Sequence, residues 1–389
     1  MTLQRRVSQP VTEPFDPIAV AAELSRRFAL TAADLDRRGE IPRANFEALA
    51  ESGLLRLTIP TEAGGYGAGL EIATKVLEWI GKGEPSTALI LAMHLINHAT
   101  VVRQWPTEIA NRLQRESLSE VALVNALRVE PELGTPARGG LPATVGRRTA
   151  DGWRVSGHKL YSTGIPILRW LAVWGRTDEP EPRTGIFLVP SGTPGITIVP
   201  TWNHLGMRAT ASHDVILEDV AIPYDHAVDL RPAVEAKGLD PEYWAWATYC
   251  VASLYNGVAH AARDWLIGFL KTRAPSNLGA PLSSLPRMQE AVGEIDALLT
   301  VNARLLASGS GDVDAGHLPT IAESGLIKSV VTNNAIAAVE IALKLSGNHG
   351  LSRDNPLERH HRDVLCGRIH TPQDDSVRIL AGKQALGLS

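Results

Sequence analysis

The order of hydrophobic patterns along the chain limits the fold more than any other feature of the sequence. From residue 17 to residue 120, apolar residues recur every three or four positions, which is typical of amphipathic helices. Short β-branched runs separated by Gly and Pro occupy residues 121–228, and helical periods return over residues 230–386. Helices and strands are therefore segregated along the chain. This pattern predicts an α+β protein and disfavours a doubly wound nucleotide-binding fold.

The changes of pattern also predict three domains. We expect an N-terminal helical domain over residues 1–120, a middle β domain over 121–228 and a C-terminal helical domain over 229–389. The segment 307–316, rich in Gly, Ser and Asp, is predicted to be a loop between helices. Residues 243–262 carry no Lys, Arg, Asp or Glu, but Asn256 and His260 within this run favour a buried bundle helix over a membrane span.

Composition argues against several classes of partner. The chain has 38 Lys and Arg against 42 Asp and Glu, a formal net charge of −4, so it has no excess of basic residues for nucleic acid or an anionic membrane. Two cysteines are too few for a disulfide framework or a four-thiolate metal site. These counts therefore predict a cytoplasmic protein with no metal and no nucleic-acid or membrane partner.

Six short motifs occur in a fixed order. They are LTIPTEAGGYG at 57–67, VEPELGT at 129–135, VSGHKLYSTG at 155–164, LGMRATASHDVILEDVAIP at 205–223, the stretch 257–273, and GNHGLSRDNPLERHHRD at 347–363. Together they resemble the acyl-CoA dehydrogenase superfamily of flavoproteins over nearly the whole chain. The resemblance implies an N-terminal helical domain, a middle antiparallel β-barrel and a C-terminal four-helix bundle, usually assembled as a homotetramer.

The resemblance also implies a flavin, FAD or FMN, between the β domain and the bundle. Tyr161, Ser162 and Thr163 match flavin-contacting positions of the family. Tyr161 is expected to pack on the ring, and Thr163 to hydrogen-bond near its N5 edge. Val129 and Thr135 stand at the cofactor-binding positions of the preceding motif, where the family has Thr and Ser. The alternative is that Tyr161 and Thr163 are ordinary strand residues.

Two further cofactor-binding positions are implied near the C-terminus. Arg273 stands at the spacing after Gly257 where the family places an arginine that reaches the flavin pyrophosphate of a neighbouring subunit. Gly347, Asn348 and Gly350 resemble the family's turn near the adenine end of a neighbour's FAD. If the flavin is FMN, the adenine site has no ligand.

The carboxylate that a dehydrogenase needs for α-proton removal is missing from its usual positions. The resemblance places this base in a string that here reads IHTPQ at 369–373, with Thr371 at the Glu position, or on the preceding long helix near Ala247. Three acidic residues could act as a displaced base: Glu242, Asp374 and Asp375.

The strings LYSTG and RIH-x-P resemble instead the monooxygenase branch of the family, such as dibenzothiophene and sulfone monooxygenases, which take reduced flavin from a separate reductase. This implies active-site roles for His370 and Thr163. His94 is a candidate active-site residue or, alternatively, a core histidine. The sequence predicts a flavin-dependent oxidoreductase. The leading hypothesis is a two-component monooxygenase that acts on a small apolar or aromatic substrate. An acyl-CoA dehydrogenase with a displaced base and a catalytically silent flavin-binding protein are the alternatives.

Overall fold

The computed structural model describes residues 15–133, 140–233 and 240–388 of the 389-residue chain. The N-terminal helices are α1 (Pro17–Ala29), α2 (Ala32–Arg38), α3 (Arg43–Glu51), α4 (Leu70–Gly83), α5 (Pro85–Ile96) and α6 (Thr107–Ser119). Local sequence explains two of the starts, because the carboxylates of Asp16 and Glu84 accept hydrogen bonds from the first N–H groups of α1 and α5. Glu84 is the single residue between α4 and α5. Almost all the side chains of α5 are buried in the core.

The described residues in the middle of the chain form one eight-stranded sheet. Its strands are β1 (Leu123–Leu127), β2 (Val145–Arg148), β3 (Trp153–Lys159), β4 (Leu168–Thr177), β5 (Arg183–Pro190), β6 (Ile196–Val199), β7 (Asp214–Ile222) and β8 (Ala227–Pro232). They lie in the order β6-β7-β3-β2-β4-β5-β8, and β1 pairs with β4. Strand β4 is parallel to β1 and β2, so the sheet is mixed and not purely antiparallel as predicted. The β2–β3 hairpin lies between β1 and β4 in sequence and gives the chain the length to return in parallel.

The C-terminal helices form a bundle. They are α7 (Pro241–Thr272), α8 (Pro286–Asp314), α9 (Ile321–Ser346), α10 (Asn348–Leu351), α11 (Leu357–Leu365) and α12 (Asp374–Ala385). The charge-free run lies in α7, which is buried over most of that length. Its Asn256 is satisfied between helices: Asn302 of α8 donates to Oδ1 at 2.8 Å, and Asn256 donates to Glu78 of α4 at 2.7 Å. This is the environment expected of a bundle helix.

The loop predicted over residues 307–316 is wrong, because α8 continues to Asp314. Gly309 lies against the ring of Tyr249 on α7, where a Cβ atom would come within 3.0 Å of the ring, so the glycine permits close helix packing. Asp314 then accepts hydrogen bonds from the N–H groups of Leu70 and Glu71 at 2.6 and 2.9 Å. The end of α8 thus caps the start of α4, and tertiary contacts outweigh the low helix propensity of the segment.

Among the residues that the structure describes, two helical stretches, Pro85–Gln104 and Ile321–Ser346, are long and apolar enough to cross a membrane by length and composition. In the fold, 89% and 50% of their apolar windows are buried against the rest of the chain. Core helices of a bundle have the same character, so these stretches are weak evidence for a membrane span.

The three regions meet at Arg362 and Asp363 on α11. Arg362 donates two hydrogen bonds to the carboxylate of Asp36 on α2, at 2.9 and 2.6 Å, and one to the carbonyl of Leu205 at 2.9 Å. The buried carboxylate of Asp363 accepts the N–H of Met207 at 2.7 Å. Burial raises the pKa of Asp363 to about 7. Two of the six sequence motifs therefore come together at this junction.

The predicted α+β class, with helices, then strands, then helices, is confirmed by this architecture. The predicted limits of the domains stay predictions. Helix α6 ends at Ser119, next to the first predicted limit, whereas β8 runs from residue 227 to residue 232 and crosses the second limit at 228.

Candidate active site

The end of β3 positions the first group of predicted site residues. Lys159, the last residue of β3, is completely buried, and its Nζ donates to Glu130 Oε1 and to the Trp174 carbonyl, each at 2.6 Å. The next residue, Leu160, donates its N–H to the carbonyl of Val129 at 3.0 Å. These contacts fix the predicted flavin motifs around residues 129 and 161 side by side. Thr135, which was predicted to bind the cofactor, lies outside the described residues.

An aromatic surface follows this turn. Tyr161 has a backbone φ of +54°, which turns the chain away from the strand, and the residue is 54% exposed. Trp202 and His204 stack on each other with ring centres 3.7 Å apart, and their rings stand nearly perpendicular to that of Tyr161 at 6.4 and 6.1 Å. An exposed aromatic face of this kind suits a planar ring. Sequence reasoning found Tyr161 but missed Trp202 and His204, which lie in the turn between β6 and β7.

Three hydroxyl groups form a chain behind Tyr161. Thr210 donates to the carbonyl of Met207 at 2.9 Å and contacts Ser212 Oγ at 2.8 Å, and Ser212 Oγ contacts Thr163 Oγ1 at 2.9 Å. A carbonyl accepts but never donates, so the Thr210 proton points to Met207. The Ser212 proton then points to Thr210, and the Thr163 proton to Ser212. Thr163 Oγ1 therefore has only lone pairs left and acts as an acceptor toward a ligand.

Ser162 lies under this surface. Its N–H donates to the carbonyl of His213 at 3.1 Å, and its carbonyl accepts the N–H of Ile165 at 3.0 Å. Its hydroxyl is buried and has no partner within the described residues. Tyr161 and Thr163 thus present groups to a ligand, whereas only the backbone groups of Ser162 are used inside the turn, and its role in cofactor binding stays a prediction. An exposed aromatic face beside a fixed hydrogen-bond acceptor fits the apolar face and polar edge of a flavin ring.

The second group of predicted residues lies on the loop between α11 and α12. His370 Nε2 is 2.8 Å from the hydroxyl of Tyr255, a buried residue of α7. Burial, aided by the positive charge of Lys328, lowers the pKa of His370 to about 3, so the imidazole is neutral at neutral pH. Burial also raises the pKa of Tyr255, which keeps its proton. The Tyr255 hydroxyl has no other acceptor within the described residues, so it donates to Nε2, and the imidazole proton lies on Nδ1.

The two groups are connected through the junction of the three regions. The carbonyl of Met207 accepts the hydrogen bond of Thr210, and its N–H donates to the carboxylate of Asp363. The preceding residue, Gly206, lies against the backbone of Arg362. Gly367, a few residues further on, lies against the ring of Tyr255. Continuous packing therefore joins the Thr163 turn to the His370 loop.

Two acidic candidates for a displaced dehydrogenase base have partners elsewhere. Glu242 forms an ion pair with Arg103 at the start of α7. Asp374 accepts a hydrogen bond from Asn333 at 2.6 Å and lies 3.6 Å from Arg378. Asp375, the third candidate, is exposed on the first turn of α12 and accepts the N–H of Ser376.

His94 is completely buried on α5. Its Nε2 lies 2.8 Å from the carbonyl of Leu55, and its Nδ1 accepts the N–H of Val124 at 3.4 Å. Burial lowers the pKa of His94 to about 4. Both ring nitrogens are used by the backbone, which favours the alternative of a core histidine, although the active-site role stays a prediction.

The predicted residues for the pyrophosphate and adenine lie together at the other end of the bundle. Arg273 is exposed directly after α7, and Gly347 and Asn348 are exposed after α9. Phe269 and His349 bring these segments together, with ring centres 5.2 Å apart. Gly350 is buried in the same turn, where a Cβ atom would lie 2.2 Å from the hydroxyl of Ser346. An exposed Arg beside an exposed turn agrees with a site completed by a neighbouring subunit, which stays a prediction.

Within the described ranges 15–133, 140–233 and 240–388, no group of three or more His, Cys, Asp or Glu side chains is arranged to hold a metal ion.

Comparison with known sequences defines the class of protein. Profiles of the N-terminal, middle and C-terminal domains of acyl-CoA dehydrogenases match residues 19–112, 129–220 and 249–374. YdbM from Bacillus subtilis, whose name assigns it provisionally to the acyl-CoA dehydrogenases, is 31% identical over 361 residues, which cover 91% of this chain and 92% of YdbM. The chain belongs to the acyl-CoA dehydrogenase family.

Two particular relatives have other names. L-evernosamine nitrososynthase from a Micromonospora species is 28% identical over 417 residues, which cover 100% of this chain and 95% of that protein. The structure of KijD3 in complex with FMN and dTDP-3-amino-2,3,6-trideoxy-4-keto-3-methyl-D-glucose is 28% identical, with a TM-score of 0.83 over 98% of this chain and 95% of that one. The family uses a flavin, so the prediction of FAD or FMN is confirmed at the level of the family.

Proposed function

We propose that this protein is a two-component flavin-dependent monooxygenase. It takes reduced flavin from a separate reductase and uses O2 to oxygenate a small apolar or aromatic substrate at nitrogen, sulfur or carbon. The proposal includes a cytoplasmic location and a homotetramer in which Arg273 and the 347–350 turn serve a neighbour's flavin.

The observation that carries the proposal is the direction of the hydroxyl chain. Because Thr163 donates to Ser212, it can only accept a hydrogen bond from a flavin edge. Reduced flavin carries an N–H at N5, whereas oxidised flavin has only a lone pair there. An acceptor at Thr163 therefore favours the reduced ring, which a monooxygenase of this kind must bind as its co-substrate.

The His370 loop supports the same chemistry. Where a dehydrogenase has its carboxylate, this chain has Thr371 preceded by a neutral imidazole. The Nδ1–H of His370 can donate a hydrogen bond to an oxygen atom of a bound ligand, and the Tyr255 hydroxyl on Nε2 holds the imidazole in this tautomer. When bound, reduced flavin supplies two electrons to O2, so that one oxygen atom enters the substrate and the other becomes water. Tyr161 would cover the ring and exclude water from it.

The relatives direct the search for a substrate. The name of the Micromonospora nitrososynthase and the ligand of KijD3 both contain an amino sugar. An amine nitrogen is therefore the first substrate class to test for this chain, with thioethers and indoles as the next.

A stopped-flow experiment tests the proposal. The protein is mixed anaerobically with reduced FMN or FAD and then with O2, and flavin absorbance is followed over time. A transient spectrum that differs from both oxidised and reduced flavin supports oxygen activation. Reoxidation at the rate of free flavin in all conditions refutes it.

An acyl-CoA dehydrogenase with a displaced base is the second candidate. The 31% identity to YdbM favours it, and Glu242 on the first turn of α7 is its best base. For this role Glu242 would have to leave its ion pair with Arg103. Anaerobic addition of butyryl-CoA to the FAD-loaded protein tests the reaction, because dehydrogenation bleaches the flavin and Glu242→Gln should abolish the bleaching. If the flavin reoxidises at the rate of free flavin and butyryl-CoA does not bleach it, the third hypothesis, a catalytically silent flavin-binding protein, stands.

A further inference from the structure

Lys328 of α9 is a buried cation that the flavin motifs do not include. Its side chain is completely buried, and Nζ donates to the carbonyl oxygens of His370 and Pro372 at 2.9 and 3.1 Å. Both acceptors belong to the loop that carries the imidazole. A helix on one side of the bundle thus holds the backbone of His370, while Tyr255 of α7 holds its ring.

The cost of burying this ammonium group indicates a specific role. Burial lowers the pKa of Lys328 to about 8, although the charge of Asp374 acts in the opposite direction. An apolar residue of similar volume at a core position of a helix is often as stable as a buried charge, or more stable. What a lysine provides here, and an apolar residue cannot, is two charge-assisted hydrogen bonds, and both are donated to carbonyls of residues 370–372.

A neighbour on α9 extends the same attachment. Asn333, about one turn after Lys328, donates to the carboxylate of Asp374 at 2.6 Å and accepts from Arg368 at 3.1 Å. The loop is thus tied to α9 before and after His370, and the imidazole between these points has little freedom to move.

We propose that Lys328 is a positioning residue of the oxygenation reaction: by holding the carbonyls of residues 370 and 372, it keeps the His370 imidazole on Tyr255, so that Nδ1–H is the ring group left for a ligand. This inference rests on the proposed function. Lys328 acts only through His370 and touches neither flavin nor substrate.

A double-mutant cycle tests the connection to His370. The measured quantity is the fraction of flavin oxidation that yields product, compared between wild type, Lys328→Met, His370→Ala and the double variant. Lys328→Met should lower this fraction by about fivefold or more, and the double variant should lie within about twofold of His370→Ala. If the two single losses multiply in the double variant, Lys328 acts independently of His370 and the inference is wrong.

Hydrogen exchange of the flavin-free chain tests the attachment without any activity. Lys328→Met should speed amide exchange in residues 366–373 by about tenfold, because the loop loses both of its bonds to Nζ. Lys159→Met is the matched control, since Lys159 is equally buried and its pKa is also lowered by burial to about 8, but it binds Glu130. Since Glu130 accepts the N–H groups of Ala143 and Thr144, this variant should speed exchange at residues 143–144 and leave 366–373 unchanged.

Equal exchange of 366–373 in wild type and Lys328→Met overturns the inference. Faster exchange there in both lysine variants also overturns it, because the effect is then general destabilisation. Since this measurement needs neither flavin nor O2, it decides the role of Lys328 on the loop even if the stopped-flow experiment refutes the proposed function.

Discussion

Replacing Ser212 by Ala should change which redox state of the flavin the protein prefers. Ser212 is buried and is the only acceptor of the Thr163 hydroxyl proton within the described residues. Without it, that proton is free to point toward the flavin edge. Thr163 then becomes able to donate to the N5 lone pair of oxidised flavin, and it no longer has to accept from the N–H of reduced flavin.

The size of the effect follows from one hydrogen bond. A hydrogen bond of this kind contributes about 0.5–1.5 kcal/mol net, and each 1.4 kcal/mol is tenfold in an equilibrium constant. The ratio of the Kd of oxidised flavin to the Kd of reduced flavin should therefore fall by about 2- to 13-fold in Ser212→Ala. Equivalently, the reduction potential of the bound flavin should become more negative, because the oxidised form gains relative affinity.

Titration of fluorescence quenching with oxidised and, anaerobically, with reduced FMN gives both Kd values. Ser310→Ala is the matched control: it removes another buried hydroxyl, one that donates to the carbonyl of Leu306 at 2.6 Å within α8. Its ratio should equal that of wild type. An unchanged ratio in Ser212→Ala, or an equal fall in Ser310→Ala, would refute the direction assigned to the hydroxyl chain.

Three further variants test other parts of the site. His370→Ala should uncouple flavin oxidation from product formation while the flavin Kd stays within about twofold, measured by peroxide release and by titration. Tyr161→Ala should weaken flavin binding by about 2- to 13-fold, and Tyr161→Phe should retain it; equal losses would show that the ring face is not the contact. The pKa of Asp363 is raised by burial to about 7, so its contribution to stability falls as pH rises from 4 to 7. Asp363→Asn should gain stability relative to wild type over this range in urea unfolding; a constant difference would contradict this reasoning.

Much of the architecture could be predicted because periodic patterns record burial directly. The charge-free run in α7 predicted a buried helix, and Asn256 within it predicted a bundle helix because a buried amide needs a partner on a neighbouring helix. Both features can be recognised from local sequence. The parallel pairing of β4 with β1 could not be predicted, because it joins strands that are distant in sequence. The glycines after residue 307 predicted a loop because glycine has a low helix propensity. The segment is helical instead, and Gly309 allows α8 to pack closely against Tyr249.

Only part of the candidate site could likewise be predicted from the sequence. Tyr161, Thr163 and His370 could be found because each stands in a contiguous motif. The groups that determine what they do come from other elements: Ser212 and Thr210 fix the Thr163 proton, and Tyr255 and Lys328 fix the imidazole. Only Lys328 left a signal in the sequence, as the one charged residue between Glu323 and Glu340, and its partners became visible only in the fold. The direction of hydrogen bonding at Thr163 and His370 is therefore set by residues that lie outside the motifs.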